Sequence, residues 1–198
     1  VNWVCAMEAA IRLCNWLLAF AMLKDSKVLN RDFKREFVKS AYMHANYLRN
    51  NLENKPFMVK TNHYISDIAG LAYAGVFFGA FDFGKKLVDF SVKELKKEMD
   101  RQVYSDGCSF EASTCYHKLV LELFFYATIM ITGARKTGLN DKKTGILNAA
   151  EEIFGEDYIN KLKKMFEFIK SAVKPNGELP QIGDNDSGRL HVFDGSSS

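Results

Sequence analysis

Two short segments of the chain combine residue types that could bind an anion and move a proton. In the first, Asn62 and His63 follow Thr61 at the start of a predicted helix, where unpaired backbone N–H groups and the helix dipole favour a negative ligand. Asp67 lies four residues after His63 and could hold one ring nitrogen, which would fix the tautomer of the imidazole. The alternative is that Thr61 or Asn62 only caps the helix and that His63 is a surface residue.

The second segment opens another predicted helix. Ser113 is the expected N-cap, Tyr116 and His117 lie in the first turn, and Glu111 comes just before it. Most helical tyrosines fill the core, but a second polar first turn could face the first one across a cleft. The two segments together therefore suggest a site built from the starts of two helices.

A polar stripe runs along the first predicted helix. Glu8, Arg12, Asn15 and Ala19 recur at helical spacing, and Glu8 with Arg12 forms an i,i+4 pair of opposite charge. The stripe fits the solvated face of a helical bundle. It also fits the wall of a wet cavity, where the adjacent Trp16 would stack on a sugar ring and the amide of Asn15 would bind hydroxyl groups.

A polar, glycine-rich loop covers residues 177–189. Asp184 and Asp186 resemble half of a calcium-binding loop, but the remaining spacing does not fit one. A structural turn with an Asp–Arg pair is the favoured interpretation, and Arg189 supplies the arginine.

Helical periodicity recurs seven times along the chain, and it must position these segments. The predicted helices are 2–23, 31–52, 61–81, 84–101, 113–132, 142–153 and 157–173. Short connections predict antiparallel helical hairpins, arranged either as a closed bundle or as an α/α toroid or solenoid with a concave inner face. Asn2 is a possible cap of the first helix, and residues 190–193 could begin a strand.

The third predicted helix contains Gly70, Gly75 and Gly79. Each glycine costs about 1 kcal/mol of helix stability relative to alanine. We therefore expect this helix to contact its neighbours closely, which would hold its N-terminus in place.

Composition excludes several classes of protein. Of the 198 residues, 47% are hydrophobic, which excludes intrinsic disorder, and the net charge of +3 is too small to predict nucleic-acid binding. No uncharged apolar run has the length of a membrane helix, and no signal peptide is visible. Because the chain begins at Val1, we expect it to be a piece of a longer protein. The four cysteines lack metal-ligand spacing and are expected to be packing thiols.

Taken in order, the motifs resemble those of the heparinase II/III family of polysaccharide lyases, which includes alginate and oligo-alginate lyases. The matching segments are Trp3-x3-Met-Glu-x3-Arg-x2-Asn-Trp16, Asn62-His63 with Asp67 and Gly70, Tyr104-x-Asp-Gly107 leading to Ser113-x2-Tyr-His117, and Gly183-Asp-Asn-Asp-Ser-Gly-Arg189. The resemblance implies an all-α fold, an incomplete (α/α) toroid over residues 1–174. Residues 175–198 would be a Gly/Pro-rich loop and tail leading to a C-terminal β-sandwich domain absent from this chain.

The resemblance also implies a reaction, the β-elimination of a uronate-containing glycan. Asn62 and His63 would neutralise the uronate carboxylate, because its charge increases as the adjacent proton leaves. Tyr116, with its pKa lowered by a neighbouring cation, would protonate the leaving oxygen, or act as both base and acid if the proton and the leaving group lie on the same face. The base is otherwise expected from the β-sandwich. No cofactor and no metal are expected. The implied substrate-binding residues are Glu8, Arg12, Asn15, Trp16, Glu111, His117 and Arg189.

The same resemblance predicts the partners and the location of the protein. The partners would be an anionic polysaccharide or oligosaccharide and the protein's own β-sandwich domain, without nucleic acid or membrane, in the periplasm or secreted. The isolated fragment is expected to be inactive. Three alternatives stay open: a non-catalytic glycan-binding or exopolysaccharide-assembly protein, a toroid glycoside hydrolase, and a purely structural helical domain. The hydrolase needs a pair of carboxylates, with candidates Glu8, Glu111, Asp184 and Asp186.

Overall fold

Seven α-helices make up most of the part of the chain that the structure describes. The computed structural model describes residues 3–55, 57, 59–138 and 145–193. Over these residues the helices are α1 (Ala6–Leu23), α2 (Arg31–Asn50), α3 (Asn62–Phe77), α4 (Asp82–Gln102), α5 (Thr114–Gly138), α6 (Ile146–Phe154) and α7 (Glu156–Ala172). No β-strand occurs in the described ranges, where an isolated bridge joins Val103 and Ser109. The all-α class expected from the sequence is therefore confirmed.

The helix ends differ from the predicted ones in a few places. Helix α1 begins at Ala6 after the N-cap Cys5, and the predicted cap Asn2 lies outside the described residues. Helix α5 continues to Gly138 rather than ending at 132. The predicted start of the sixth helix, 142–144, also falls outside the described part of the chain.

The suggested strand at residues 190–193 does not form. Leu190 and His191 are buried instead, and the ring of His191 lies 5.0 Å from that of Tyr126. An apolar segment can bury its side chains against helices without pairing with a strand, which alternation alone does not reveal.

The chain divides into two compact units, residues 1–91 and 92–198, with the boundary inside α4. Residues 175–193 belong to the second of these units. The division at residue 174 that the resemblance suggests stays a prediction.

In the first unit, α3 packs against α1 and α2, and most of its side chains are buried. A Cβ atom at Gly70 would lie 2.9 Å from both the Cβ of Ala10 and a methyl group of Leu48. A Cβ atom at Gly75 would lie 2.8 Å from a methyl group of Val88. These contacts confirm the prediction of close packing for Gly70 and Gly75, whereas α3 ends at Phe77, before the predicted residue 81, so Gly79 lies outside the helix.

In the second unit, α5 packs against α6 and α7. The hydroxyl groups of Thr128 and Tyr158 are hydrogen bonded at 2.9 Å inside this packing. The segment after α7 returns to the start of α5, where the hydroxyl of Thr114 donates to the carbonyl of Pro180 at 2.7 Å. This return places the polar loop of residues 183–189 beside the first turn of α5.

Two helical segments, Ala6–Leu23 and Thr114–Arg135, are long and apolar enough to cross a membrane. Of their residues, 33% and 56% respectively are buried within the protein. Core helices of water-soluble proteins share this length and composition, so these segments are weak evidence for a membrane.

Candidate functional site

The first turn of α3 has the capping that its sequence predicts. The hydroxyl of Thr61 accepts a hydrogen bond from the backbone N–H of His63 at 3.4 Å, so Thr61 is the N-cap and Asn62 and His63 lie in the first turn. The side chain of His63 is 45% exposed, whereas Asn62 is only 5% exposed. His63 is therefore the more accessible polar group of this turn.

Glu53, from the connection between α2 and α3, holds His63. A carboxylate oxygen of Glu53 lies 2.6 Å from Nδ1 of His63. The prediction that Asp67 would hold this ring is wrong, because the Asp67 carboxyl accepts a hydrogen bond from the backbone N–H of Glu53 at 2.7 Å. Asp67 is fully buried, so it holds the backbone of the α2–α3 connection from the protein interior, while Glu53 holds the half-exposed ring of His63.

The other oxygen of Glu53 caps α1. It accepts hydrogen bonds from the backbone N–H groups of Ala6 at 3.0 Å and Met7 at 3.2 Å, and the thiol of Cys5 lies 3.5 Å away. The N-cap residue Cys5 has no side-chain capping bond of its own, and a carboxylate at a helix N-terminus is stabilised by the helix dipole. Glu53 therefore joins α1 to α3.

Glu53 and Asp67 differ in ionisation. Burial opposes ionisation of Glu53, but the hydrogen bond from Met7 and the neighbouring His63 outweigh it and lower the pKa of Glu53. Burial raises the pKa of Asp67 to about 8, with the Glu53 charge adding to the effect and the Glu53 N–H opposing it. One oxygen of Asp67 is buried without a hydrogen-bond partner. At neutral pH Glu53 is charged and Asp67 is protonated.

Arg12 is held by two indole rings and a histidine. Its guanidinium carbon lies 5.6 Å from the ring centre of Trp3 and 5.9 Å from that of Trp16. Its Nε donates to Nε2 of His44 at 3.2 Å, while Nδ1 of His44 donates to the carbonyl of Ser40 at 2.8 Å. Burial lowers the pKa of His44, and the charge of Arg12 lowers it further, while the hydrogen bond to Ser40 opposes this shift. His44 is thus a neutral acceptor that orients Arg12.

The rest of the polar stripe of α1 is partly exposed. Glu8 and Trp16 are exposed and Asn15 is half-buried, with the Asn15 amide donating to the carbonyl of Ile11 at 2.9 Å. Trp16 borders an apolar groove of about 410 Å³ between α1 and α2, which is also lined by Phe20, Phe33 and Phe37. Both the solvated-face interpretation and the sugar-binding interpretation expect the stripe to be accessible, so both remain open.

The first turn of α5 is capped as predicted. The hydroxyl of Ser113 accepts from the backbone N–H of Tyr116 at 3.2 Å, and the phenol of Tyr116 donates to the carboxylate of Asp184 at 3.3 Å. Partial burial and the charges of Asp186 and Asp184 raise the pKa of Tyr116. The expectation that a cation would lower this pKa is wrong, because the loop of residues 183–189 surrounds the phenol with carboxylates.

His117 is part of the interior of the second unit. It is 1% exposed, its Nδ1 accepts from the backbone N–H of Ser109 at 3.2 Å, and its Nε2 donates to the carbonyl of Met165 at 3.1 Å. Burial lowers its pKa. Both nitrogens of this neutral ring are used by the backbone, which leaves none for a ligand. Glu111, by contrast, is half-exposed.

The loop of residues 183–189 is a chain of short side-chain turns. The amide oxygen of Asn185 accepts from the N–H of Ser187 at 2.8 Å, and a carboxylate oxygen of Asp186 accepts from the N–H of Gly188 at 2.9 Å. These are Asx turns, as the structural interpretation of this loop expects. Gly183 has a φ of 77°, and a Cβ atom there would lie 2.6 Å from the carbonyl oxygen of Ala112.

Arg189 lines a groove of about 670 Å³ beside α5, together with Lys118, Gln181 and Asn185. Burial raises the pKa of the neighbouring Glu122, although the charges of Lys118 and Arg189 oppose this. Lys118 and Arg189 give the groove two cations against the one carboxylate of Glu178 that also lines it.

The two first turns belong to different compact units. His63 lies in the first unit and Tyr116 in the second. Their convergence across a cleft stays a prediction.

Sequence reasoning missed Glu53, His44 and Trp3 as parts of these clusters. The contacts of Glu53 with α1 join residues 46 to 48 positions apart. Neither the neighbouring residues nor the spacing from His63 indicated a role for Glu53, because an acidic residue in a polar connection is ordinarily solvated.

Comparison with known proteins identifies one family. The family described as Heparinase II/III N-terminus matches residues 1–194. A heparin-sulfate lyase of Pedobacter heparinus is 24% identical over 179 residues, and one of Bacteroides stercoris is 22% identical over 178 residues; each alignment covers 90% of this chain. The chain spans 24% of the length of either protein. The structure described as heparinase III has a TM-score of 0.67 at 20% identity, covering 86% of this chain and 23% of its own. That likeness supports the helical toroid fold.

Proposed function

Because the chain belongs to the heparinase II/III N-terminal family, we propose that it is part of a polysaccharide lyase that cleaves a uronate-containing glycan by β-elimination. The observation that carries this proposal is the first turn of α3, where a half-exposed His63 is held by the ionised Glu53. Two relatives are named heparin-sulfate lyases, so heparan sulfate is the first substrate to test. The group that removes the proton from the uronate, the catalytic base, is assigned by the family resemblance to a C-terminal β-sandwich domain.

His63 would bind the uronate carboxylate through its Nε2 atom. The contact with Glu53 occupies Nδ1, so donation from Nε2 requires the doubly protonated ring, for which Glu53 is the counter-ion. Such a donor acts when its hydrogen bond strengthens as charge develops on the carboxylate. Asn62 would contribute its amide, which requires that this almost buried side chain reaches the glycan.

Tyr116 would be the acid of the reaction. Its raised pKa keeps the phenol protonated at neutral pH, which suits protonation of the leaving oxygen and not removal of the first proton. The base must then be another group. Without glycan, Asp184 accepts the hydrogen bond of the phenol at 3.3 Å, and this bond must break when the phenol donates its proton to the leaving oxygen.

Arg12 and Arg189 would bind further anionic groups of the polymer. Arg12 is oriented by Trp3, Trp16 and His44, and Arg189 lines a groove that also contains Lys118. Because polymeric glycans of this type are found outside the cytoplasm, the proposal implies a periplasmic or secreted protein.

The test uses the full-length protein, because this chain spans only 24% of the length of the relatives it matches. Eliminative cleavage of heparan sulfate creates a conjugated double bond that absorbs in the ultraviolet. Tyr116→Phe should abolish this product and His63→Gln should lower the rate about 10²–10³-fold. The matched control is Tyr104→Phe, since Tyr104 is an exposed tyrosine of the same unit.

Each other outcome has a defined meaning. Full activity of Tyr116→Phe would remove Tyr116 from the mechanism. Glycan binding without an unsaturated product would favour the glycan-binding alternative. Saturated products with new reducing ends would indicate a glycoside hydrolase.

A further inference from the structure

The contacts around Glu53 bring together three different metal-ligating groups. Ligand atoms of Cys5, Glu53 and His63 all lie within 4.8 Å of one another. They come from three segments of the first unit: the residue before α1, the connection between α2 and α3, and the first turn of α3. We propose that Cys5, Glu53 and His63 form a binding site for a divalent transition-metal ion of the zinc type.

The ligand types select the class of ion. A thiolate, an imidazole and a carboxylate together suit zinc and its neighbours, whereas calcium and magnesium prefer oxygen ligands alone. Three protein ligands leave a fourth tetrahedral position, which water or a solute anion would occupy.

The observed spacing is close to what such an ion needs. In a tetrahedral zinc site, a sulfur and an oxygen ligand lie about 3.5 Å apart, and a nitrogen and an oxygen about 3.3 Å apart. The thiol sulfur of Cys5 lies 3.5 Å from Oε1 of Glu53, and Nδ1 of His63 lies 2.6 Å from the other carboxylate oxygen, Oε2. The first pair already has the required separation. The second must widen by about 0.7 Å, which rotation of the half-exposed His63 ring allows.

The central ligand is held before any ion binds. The backbone N–H groups of Ala6 and Met7 donate to the Glu53 carboxylate, and Asp67 accepts from the Glu53 backbone. Outer contacts of this kind orient metal ligands and raise affinity. The side chains of Glu53 and His63 are 31% and 45% exposed, so an ion can enter from solvent.

Two features oppose binding and make the site weaker than a structural zinc site. Burial raises the pKa of the Cys5 thiol, with the Glu53 charge adding to it, and the positive end of the α1 dipole faces Glu53. On coordination the thiol proton of Cys5 is released to solvent, the ion binds Nδ1 of the neutral His63 ring, and the single ring proton moves from Nδ1 to Nε2. The result is a reversible site at Nδ1 of His63 that leaves the Nε2–H group of the ring in place.

The experiment is a titration of the metal-free protein with cobalt(II), without glycan. One equivalent should produce the near-ultraviolet band of a thiolate–cobalt bond and the intense visible bands of a four-coordinate ion, and zinc should displace both. Cys5→Ser should lose the thiolate band, and His63→Gln should weaken binding at least about 10-fold. Cys115→Ser, which alters a half-buried thiol of the second unit, should behave like the native protein.

The absence of a thiolate band in the native protein would overturn the proposal, as would its persistence in Cys5→Ser. Circular dichroism of Cys5→Ser should show native helix content, and a variant that fails to fold is replaced by Cys5→Ala under the same test. Because the readout is spectroscopic, a failed metal site and a failed lyase assay are distinguishable.

Discussion

The buried carboxyl of Asp67 should make the first unit less stable as the pH rises. Its pKa is raised from 3.8 to about 8 by burial, so between these values the native state holds a proton that the unfolded state has lost. Stability therefore falls with rising pH by about 1.4 kcal/mol per unit. Between pH 5 and pH 7 the loss due to this one group is about 3 kcal/mol.

Asp67→Asn tests this directly. The amide oxygen can still accept the hydrogen bond that the Glu53 N–H donates at 2.7 Å, but the side chain no longer titrates. Relative to the native protein, the variant should gain about 3 kcal/mol of stability on going from pH 5 to pH 7. Asp25→Asn, at an exposed position of the same unit, should leave the pH dependence unchanged.

Urea unfolding followed by tryptophan fluorescence is the suitable assay. The chain has two tryptophans, Trp3 and Trp16, and both lie in the unit that contains Asp67. The fluorescence signal thus reports on the relevant unit. If the native protein and Asp67→Asn show the same change in unfolding free energy between pH 5 and pH 7, the assignment of a protonated Asp67 is refuted.

Two further predictions concern packing and the phenol. Gly70→Ala should destabilise the protein by about 1–3 kcal/mol, because the new methyl group meets Ala10 at 2.9 Å, whereas Gly133→Ala, with nothing within 4 Å, should stabilise it by up to about 1 kcal/mol; equal urea midpoints would contradict the packing argument. Asp184→Asn should lower the pKa of Tyr116, since the Asp184 charge helps to raise it, and ultraviolet difference spectra against pH will show whether the phenol titrates earlier.

The features that could be predicted from the sequence are those set by neighbouring residues. Apolar periodicity located the helices, and the hydroxyl groups of Thr61 and Ser113 cap α3 and α5 as their positions indicated. Close packing at Gly70 could also be predicted, because a glycine within a helix lowers its stability unless a neighbouring element uses the space beside it.

The features that could not be predicted depend on distant contacts. Asp67 and His63 are one turn apart, and this spacing favours a contact on an exposed helix. Helix α3 is buried on most sides, so the two side chains have different surroundings and Asp67 supports Glu53 instead. Likewise, the carboxylate beside Tyr116 comes from Asp184, 68 positions away, and no local pattern could give the sign of the pKa shift.

Because Glu53 is ionised and Asp67 is protonated, the charge of this cluster determines which ligands it can bind. Two ionised carboxylates in one partly dry cluster would repel each other, and burial of Asp67 prevents this by keeping its proton. The cluster then carries one negative charge, which a singly charged imidazolium ring of His63 balances when a uronate is bound at Nε2. A divalent ion needs one more negative charge, and loss of the Cys5 thiol proton supplies it. The same Glu53 carboxylate can therefore serve either state, because the glycan is bound at Nε2 of His63 and the metal ion at Nδ1.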